Sequence, residues 1–203
     1  MNDSGNKNKI IETALKLFNR NGTYAVTTRH IAADMNISPG NLYYHYRNKE
    51  EIIRVLLEQM IEEFNLFIRS SEFNTDPALL IKNAISITGK IMYNYRFFFM
   101  EITTLLEKDH VLKKKYFRIK QERVSDFKAI RRFLDHGGLF SESLTDDDFY
   151  VITENAWTLS EFLLQSMYVK GIKITPENVM KNFSRVLYTF RPYLKKEFRE
   201  LIN

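Results

Sequence analysis

The residues whose chemistry stands out lie between 27 and 49, in the run TTRHIAADMNISPGNLYYHYRNK. Its tyrosine hydroxyls can donate to phosphate oxygens, and its tyrosine rings can lie against thymine methyl groups. Pro39-Gly40-Asn41 brings almost no side-chain bulk, so the backbone there can approach another surface closely. If that tripeptide opens a helix, the first amides and the positive helix end also favour a phosphate. Tyr43, Tyr44 and His45 are consecutive. At 100° per residue they cannot all face one core, so at least one meets solvent or a partner. Lys49 stands where a new helix should begin, and a cation there opposes the helix dipole unless an anion sits beside it. The plainer alternative is a helical corner with core tyrosines, in which His45 is structural and His30 is a solvent or phosphate neighbour.

Other chemistries find little in the chain. It has four histidines (30, 45, 110 and 136) and no cysteine, so no metal-ligand spacing, thiol nucleophile or disulfide emerges. No glycine-rich phosphate loop or nucleophile elbow is present. Asp146-Asp147-Asp148 has a metal-like composition, but consecutive helical residues point in different directions, and a helix start accounts for them. The sequence therefore implies no enzyme, no catalytic residue, no metal and no cofactor.

The elements that must position residues 27–49 are helical throughout. Ile11, Ala14, Leu15 and Phe18 recur at i, i+3, i+4 and i+7, which predicts a helix over 9–20 stopped by Asn21-Gly22. A short helix is predicted over about 28–35, capped by Thr27 or Thr28. Asn36 lies in the break, where it tolerates a left-handed backbone. Ser38 caps a third helix with Pro39 at its first position, ending near Tyr46. Asn48 caps a fourth, with Glu51 as capping-box partner, and its apolar positions run to about Ser70. Further helices are predicted over 77–95, 109–135, 145–170 and from Thr175, with an aromatic segment over 96–106. Pro192 should kink or end the last helix near Arg191.

Composition agrees with this plan. The chain has 203 residues, enough to bury a core without staples, and only 7 Gly and 4 Pro, too few for the turns of a sandwich or barrel. Hydrophobic residues are 44% and charged residues 27%, a globular balance, and the net charge of +5 permits nucleic-acid binding without requiring it. No signal peptide or membrane-length apolar run is visible, so a cytoplasmic location and no membrane partner are expected. The expected fold class is all-α, about nine helices. Residues 1–47 would form a three-helix helix-turn-helix domain and 48–203 a larger helical domain.

Two short helices joined by a tight turn, the second polar and aromatic, fit a helix-turn-helix. Here the sequence resembles the TetR family of bacterial transcriptional regulators. The matching residues are Phe18, Gly22, Thr27, Thr28, Ile31, Ala32, Ile37, Ser38, Gly40, Leu42, Tyr43, His45 and Tyr46, then Asn48-Lys49-Glu50. Tyr95-Arg96-Phe97-Phe98-Phe99 looks like a segment of one repressor subgroup. The resemblance implies a homodimer, formed by the last two helices, whose third helix enters the major groove of an operator. Carried over by position, Thr28 and Lys49 would hold phosphates, Ser38, Pro39, Gly40, Tyr43, Tyr44 and His45 would line the groove, and Thr27 and Asn41 belong to the same DNA-binding set. Arg29 would reach either a base edge or a phosphate. Asn36 departs from the glycine common in the family.

The resemblance also implies an effector pocket in the second domain. Met92, Tyr93, Phe97, Phe98, Met100, Phe117, Phe127 and Trp157 are its candidate lining, and plain core is the alternative for the same residues. Residues 108–132 hold ten Lys or Arg against Asp109, Glu122 and Asp126, a net of +7. That helix is a solvated face, a site for an anionic ligand such as an acyl thioester, or an attractor of DNA. The expected function is a sequence-specific regulator, released from a pseudo-palindromic operator by a small apolar or aromatic effector. A helical scaffold protein and a small-ligand enzyme with an aromatic cavity are the rival readings.

Overall fold

The computed structural model describes residues 3–71, 76–136, 138–141 and 144–202. Side chains are described for all of these except 3, 4, 70, 71, 77, 124–130, 132–134 and 136. The described residues form ten α-helices: α1 (Asp3–Ala25), α2 (Thr28–Asp34), α3 (Pro39–His45), α4 (Lys49–Ser71), α5 (Pro77–Asn94), α6 (Arg96–Lys108), α7 (His110–His136), α8 (Asp146–Glu161), α9 (Leu163–Val169) and α10 (Pro176–Leu187). Two 3₁₀ helices follow, η1 (Tyr188–Tyr193) and η2 (Lys196–Ile202). Among the described residues there is no strand, only one isolated antiparallel bridge between Phe140 and Leu194.

The punctuation follows local chemistry. Gly22 interrupts α1 with φ 75 and ψ 161, a left-handed backbone that a side chain would resist. Thr27 caps α2, and its partner in the capping box is His30, whose Nδ1 accepts from the Thr27 amide at 3.3 Å. At the end of α2, Asn36 takes φ 53. The Asn36 and Ile37 amides donate to the Ala33 and Ala32 carbonyls at 3.1 and 3.0 Å, which is a Schellman stop. Ser38 Oγ accepts from the Asn41 amide at 3.2 Å and starts α3.

Several features differ from the sequence reading: α1 begins at Asp3, ahead of the predicted start at 9, and resumes after Gly22 to end at Ala25. Residues 145–170 are two helices, broken at Phe162 (φ −105, ψ 7). Ser160 Oγ donates back to the Ala156 carbonyl at 2.7 Å, a bond that bends helices, and no side chain caps the break. The last helix stops at Leu187, and Pro192 sits inside η1. Glu51 reaches past Asn48 to accept from the Arg47 amide at 2.7 Å.

The core forms two clusters. The larger begins under α1–α3, with Ile10, Phe18, Ile31, Ala32 and Leu42, and continues without a break through α4 into α5, α6 and α10. Position 47/48 therefore marks the start of α4 and no gap in packing. The smaller cluster joins Leu80 and Ile81 to Leu139, Phe140, Leu144, Phe149, Leu194 and Ile202.

Where α5 meets α10, a Cβ on Gly89 would stand 2.4 Å from Met180 Cγ and 3.1 Å from Met180 Cα. The methionine side chain can turn aside but its backbone cannot. Gly89→Ala should therefore destabilise the protein by about 1–3 kcal/mol, although alanine favours a helix. A lower urea midpoint at unchanged m-value is the expected readout, and an unchanged or higher midpoint would contradict the close packing.

Candidate DNA-binding face and ligand cavity

The α2–α3 unit presents its candidate residues on one surface. Leu42 is the buried anchor of α3, whereas Pro39, Gly40, Asn41, Tyr43 and Tyr44 are exposed, as is Ser38 just before them. Tyr44 is 77% exposed, and its ring meets His45 edge-on at 5.1 Å. Tyr43 Oη and Thr28 Oγ1 lie 3.0 Å apart, a hydrogen bond that ties α3 to the start of α2. Thr27 and Arg29 are exposed and Thr28 is half-buried. Burial pushes the Tyr46 phenol upward, aided by the Glu51 charge, and its ring lies in the core under the unit.

Lys49 is placed differently from the expectation of a cation awaiting phosphate. It is half-buried, and its ammonium donates to the carbonyls of Thr23 at 2.5 Å and Val26 at 3.1 Å. These carbonyls, from the end of α1 and the approach to α2, relieve the conflict with the α4 dipole. One N–H remains for another acceptor.

α6 and α4 connect this unit to the rest of the molecule. Phe97 stacks on Phe18 with centroids 5.4 Å apart, and the Phe97 amide donates to Asn19 Oδ1 at 3.1 Å. Glu101 accepts from the Thr23 amide at 2.9 Å and from the Thr23 hydroxyl, beside Gly22. Arg54 on α4 holds Asp109, between α6 and α7, with two bonds of 2.7 and 3.0 Å. None of these long-range partners was legible in the sequence. The Lys108 ammonium lies 5.8 Å from the ring of Tyr24, an exposed tyrosine at the same corner.

Farther along the chain is a cavity of about 340 Å³ walled by α4, α5, α6, α7, α8, α10 and the C-terminal 3₁₀ segments. Of the candidate lining, Met92, Phe98 and Trp157 face it. Tyr93, Phe97 and Met100 do not, because they lie on other faces of α5 and α6, and Phe97 is used against Phe18. Phe117 is 52% exposed on the outer face of α7, beside Lys113, Lys114 and Arg118. The side chain of Phe127 lies outside the described residues. The lining missed from sequence comes from the remote segments, such as Phe140, Phe149, Phe190, Leu194 and Ile202.

The few polar groups of the wall are mostly engaged. Glu161 Oε1 accepts from Tyr116 Oη and from Trp157 Nε1, with Lys120 Nζ at 3.9 Å. Burial first, and then the Glu161 charge, push the Tyr116 phenol strongly upward, so it stays a donor. Arg123 Nη2 donates to Asn65 Oδ1 at 2.5 Å. Asp146 and Asp148 serve the start of α8: Thr145 and Asp148 form a capping box, and Asp146 pairs with Arg131 at 3.1 Å. Among the described residues no group of side chains suits a metal ion, and no helix is long and apolar enough to cross a membrane.

Comparison with known proteins matches both parts. The family described as bacterial regulatory proteins, tetR family, matches residues 10–56, and that described as bacterial transcriptional repressor, TetR, matches residues 80–202. The negative transcriptional regulator IcaR of Staphylococcus epidermidis is 38% identical over 93 residues, 46% of this chain and 45% of that one. The regulator QacR of Staphylococcus aureus is 27% identical over 128 residues, 61% of this chain and 68% of that one. The chain thus spans about half the length of the first relative and two thirds of the second. A TetR-family regulator from Marinobacter aquaeolei superposes with a TM-score of 0.85 at 26% identity, covering 97% of this chain and 94% of that one. With its helix-turn-helix and its helical second part each matched, the chain belongs to the TetR family of bacterial transcriptional regulators.

Proposed function

We propose that the protein is a homodimeric repressor that leaves a pseudo-palindromic operator when a small, largely apolar or aromatic effector fills the cavity. The observation that carries this reading is the solvent face of α3, where an almost bare first turn is followed by two exposed tyrosines over one buried leucine. Such a face suits close approach to a DNA groove better than contact with water. In this reading Ser38, Pro39, Gly40, Asn41, Tyr43, Tyr44 and His45 meet the groove. Thr27 and Thr28 meet phosphates, and Arg29 meets a base edge or a phosphate. Residues 1–47 bind DNA, and 48–203 dimerise and sense the effector, in the cytoplasm where the operator is.

Dimerisation through the segment predicted as one helix over 145–170 and the helix after it is supported by exposed apolar residues on the first of these: Val151 and Leu159 on α8, Phe162 at the break, and Tyr168 and Val169 on α9. A two-fold dimer would set the two α3 helices about one DNA turn apart, roughly 34–36 Å. α4 is the natural transmitter. Leu57, Met60, Phe64 and Phe67 line the cavity, and Lys49 at its other end holds the α1–α2 junction. An effector that favours one arrangement of α4 shifts the spacing of the reading helices and so the affinity for DNA.

Fluorescence anisotropy with the DNA upstream of the protein's own gene, against scrambled competitor, tests the reading. A nanomolar, competitor-resistant signal that falls with salt supports it, and binding equal to that of scrambled DNA counts against it. Lys49→Ala gives a sharper test. Losing the two carbonyl contacts should lower stability by about 1–2 kcal/mol. If the remaining N–H meets a phosphate, the salt slope also falls by about one unit per subunit. An unchanged slope would make Lys49 a purely structural residue.

A further inference from the structure

We propose that the cavity selects a small, uncharged, mainly hydrocarbon molecule with one hydrogen-bonding group placed against Thr153. The inference rests on the regulator reading above and names the class of effector for its cavity. A volume of about 340 Å³ lies at the small end of the roughly 300–1,000 Å³ range of small-molecule sites. The cavity lies on the seam between the two core clusters, with Met92 and Phe98 from one and Leu139 and Phe149 from the other. Ile85, Leu187 and Phe190 pack against both clusters, and a ligand there would add a further contact between them.

Thr153 is the distinctive polar residue of the wall. It is 8% exposed, it lies on α8, and its hydroxyl has no hydrogen-bond partner. A helical threonine ordinarily donates to a carbonyl one turn back, and both of its common χ1 rotamers are open to it in a helix. A turn about χ1 exchanges methyl and hydroxyl, which offers the O–H to a ligand oxygen or accepts a ligand O–H. A buried hydroxyl left unbonded is costly, so a ligand that satisfies it gains a contact the unliganded protein lacks.

The charged residues of the wall argue against a charged ligand. Glu161 already accepts from Tyr116 and Trp157 and lies 3.9 Å from Lys120. Arg123 already donates to Asn65. A charged head group would lose its water and then compete for partners that are engaged.

Three probes with the same ten-carbon chain separate the possibilities: 1-decanol, decanoate and decylammonium, each below micelle formation. They are titrated into the full-length protein by calorimetry, and the melting temperature is followed in parallel. The expected result is that 1-decanol binds and raises the melting temperature, while each charged probe binds at least tenfold more weakly. In Thr153→Val, which replaces the hydroxyl by a methyl group of the same shape, 1-decanol should bind about tenfold more weakly, and the unliganded melting temperature should hold or rise. Preferential binding of decanoate would assign selection to Arg123, and preferential binding of decylammonium to Glu161. Either would overturn the proposal, as would equal 1-decanol affinity in the variant or no binding by any probe. DNA anisotropy on the same unliganded samples reports the regulator reading independently, since that reading fails only if specific DNA binding is absent.

Discussion

Gly40→Leu should abolish specific DNA binding and leave the protein as stable as before, or slightly more so. Gly40 is exposed in the first turn of α3, and a Cβ there would meet only Ser38 Oγ at 3.9 Å. Its backbone is in no region reserved for glycine. Leucine fits the folded protein freely and favours a helix over glycine by about 0.5–1 kcal/mol. Against DNA, the same side chain stands between the first turn and the groove and lifts Tyr43 and Tyr44 off their contacts. Specific binding usually exceeds non-specific binding by roughly 10³–10⁷, so a loss of at least a hundredfold is expected. Anisotropy and thermal unfolding on one preparation check both halves. Retained affinity would mean that this turn does not approach DNA, and a large loss of stability would mean that the surface is structural.

The second large effect concerns the joint between α4 and the α6–α7 corner. Asp109 is buried and binds Arg54 through two bonds, while its Oδ1 also accepts from the Val111 and Leu112 amides at 2.9 and 3.0 Å. Burial pushes its carboxyl up, but the Arg54 hydrogen bond, the Leu112 amide, the Arg54 charge and the Val111 amide outweigh this. Together they hold it below its ordinary value of 3.8. Asp109→Asn keeps the shape and removes the charge. Arg54 is partly exposed, so the expected loss is about 2–3 kcal/mol, below that of a fully buried pair. For a chain of this size that corresponds to a fall in melting temperature of roughly 5–10 °C.

The pH dependence has a definite sign. A carboxyl depressed by folding contributes stability that is fully present above the unfolded pKa and is lost as pH falls through the folded pKa. The wild-type advantage should therefore hold at pH 7 and shrink below about pH 4. An advantage that did not shrink at all as the pH fell below about 4 would mean that the ion pair is not its source.

Local signals were legible in the sequence and long-range ones were not. The left-handed Asn36, the Ser38 cap with Pro39 behind it, and the Thr27 cap each depend on neighbours within four residues, so residue types alone specify them. The same holds for α4, α5 and α7, whose ends agree with their caps and periodicity to within about one residue. The break at Phe162 lies in a segment with continuous apolar spacing, beside the side-chain bond from Ser160 to the Ala156 carbonyl, so no breaker residue marks it. The role of Lys49 depends on carbonyls 23 and 26 residues earlier, and that of Asp109 on an arginine 55 residues earlier. The cavity was half legible for a related reason. The aromatic run over 92–100 supplied candidates, but which of them face inward was decided by how α6 packs on α1. Twelve of the 29 wall residues lie after residue 139, in segments that the run does not announce.

The central claim is that a two-fold pair of α3 helices reads DNA sequence. Selection of binding sites from a random DNA library with the full-length protein tests it most directly. The account predicts enrichment of two inverted half-sites whose centres lie about one helical turn apart, and no enrichment with Gly40→Leu. A library that stays random through successive rounds, or one that enriches a single unpaired site, would contradict it.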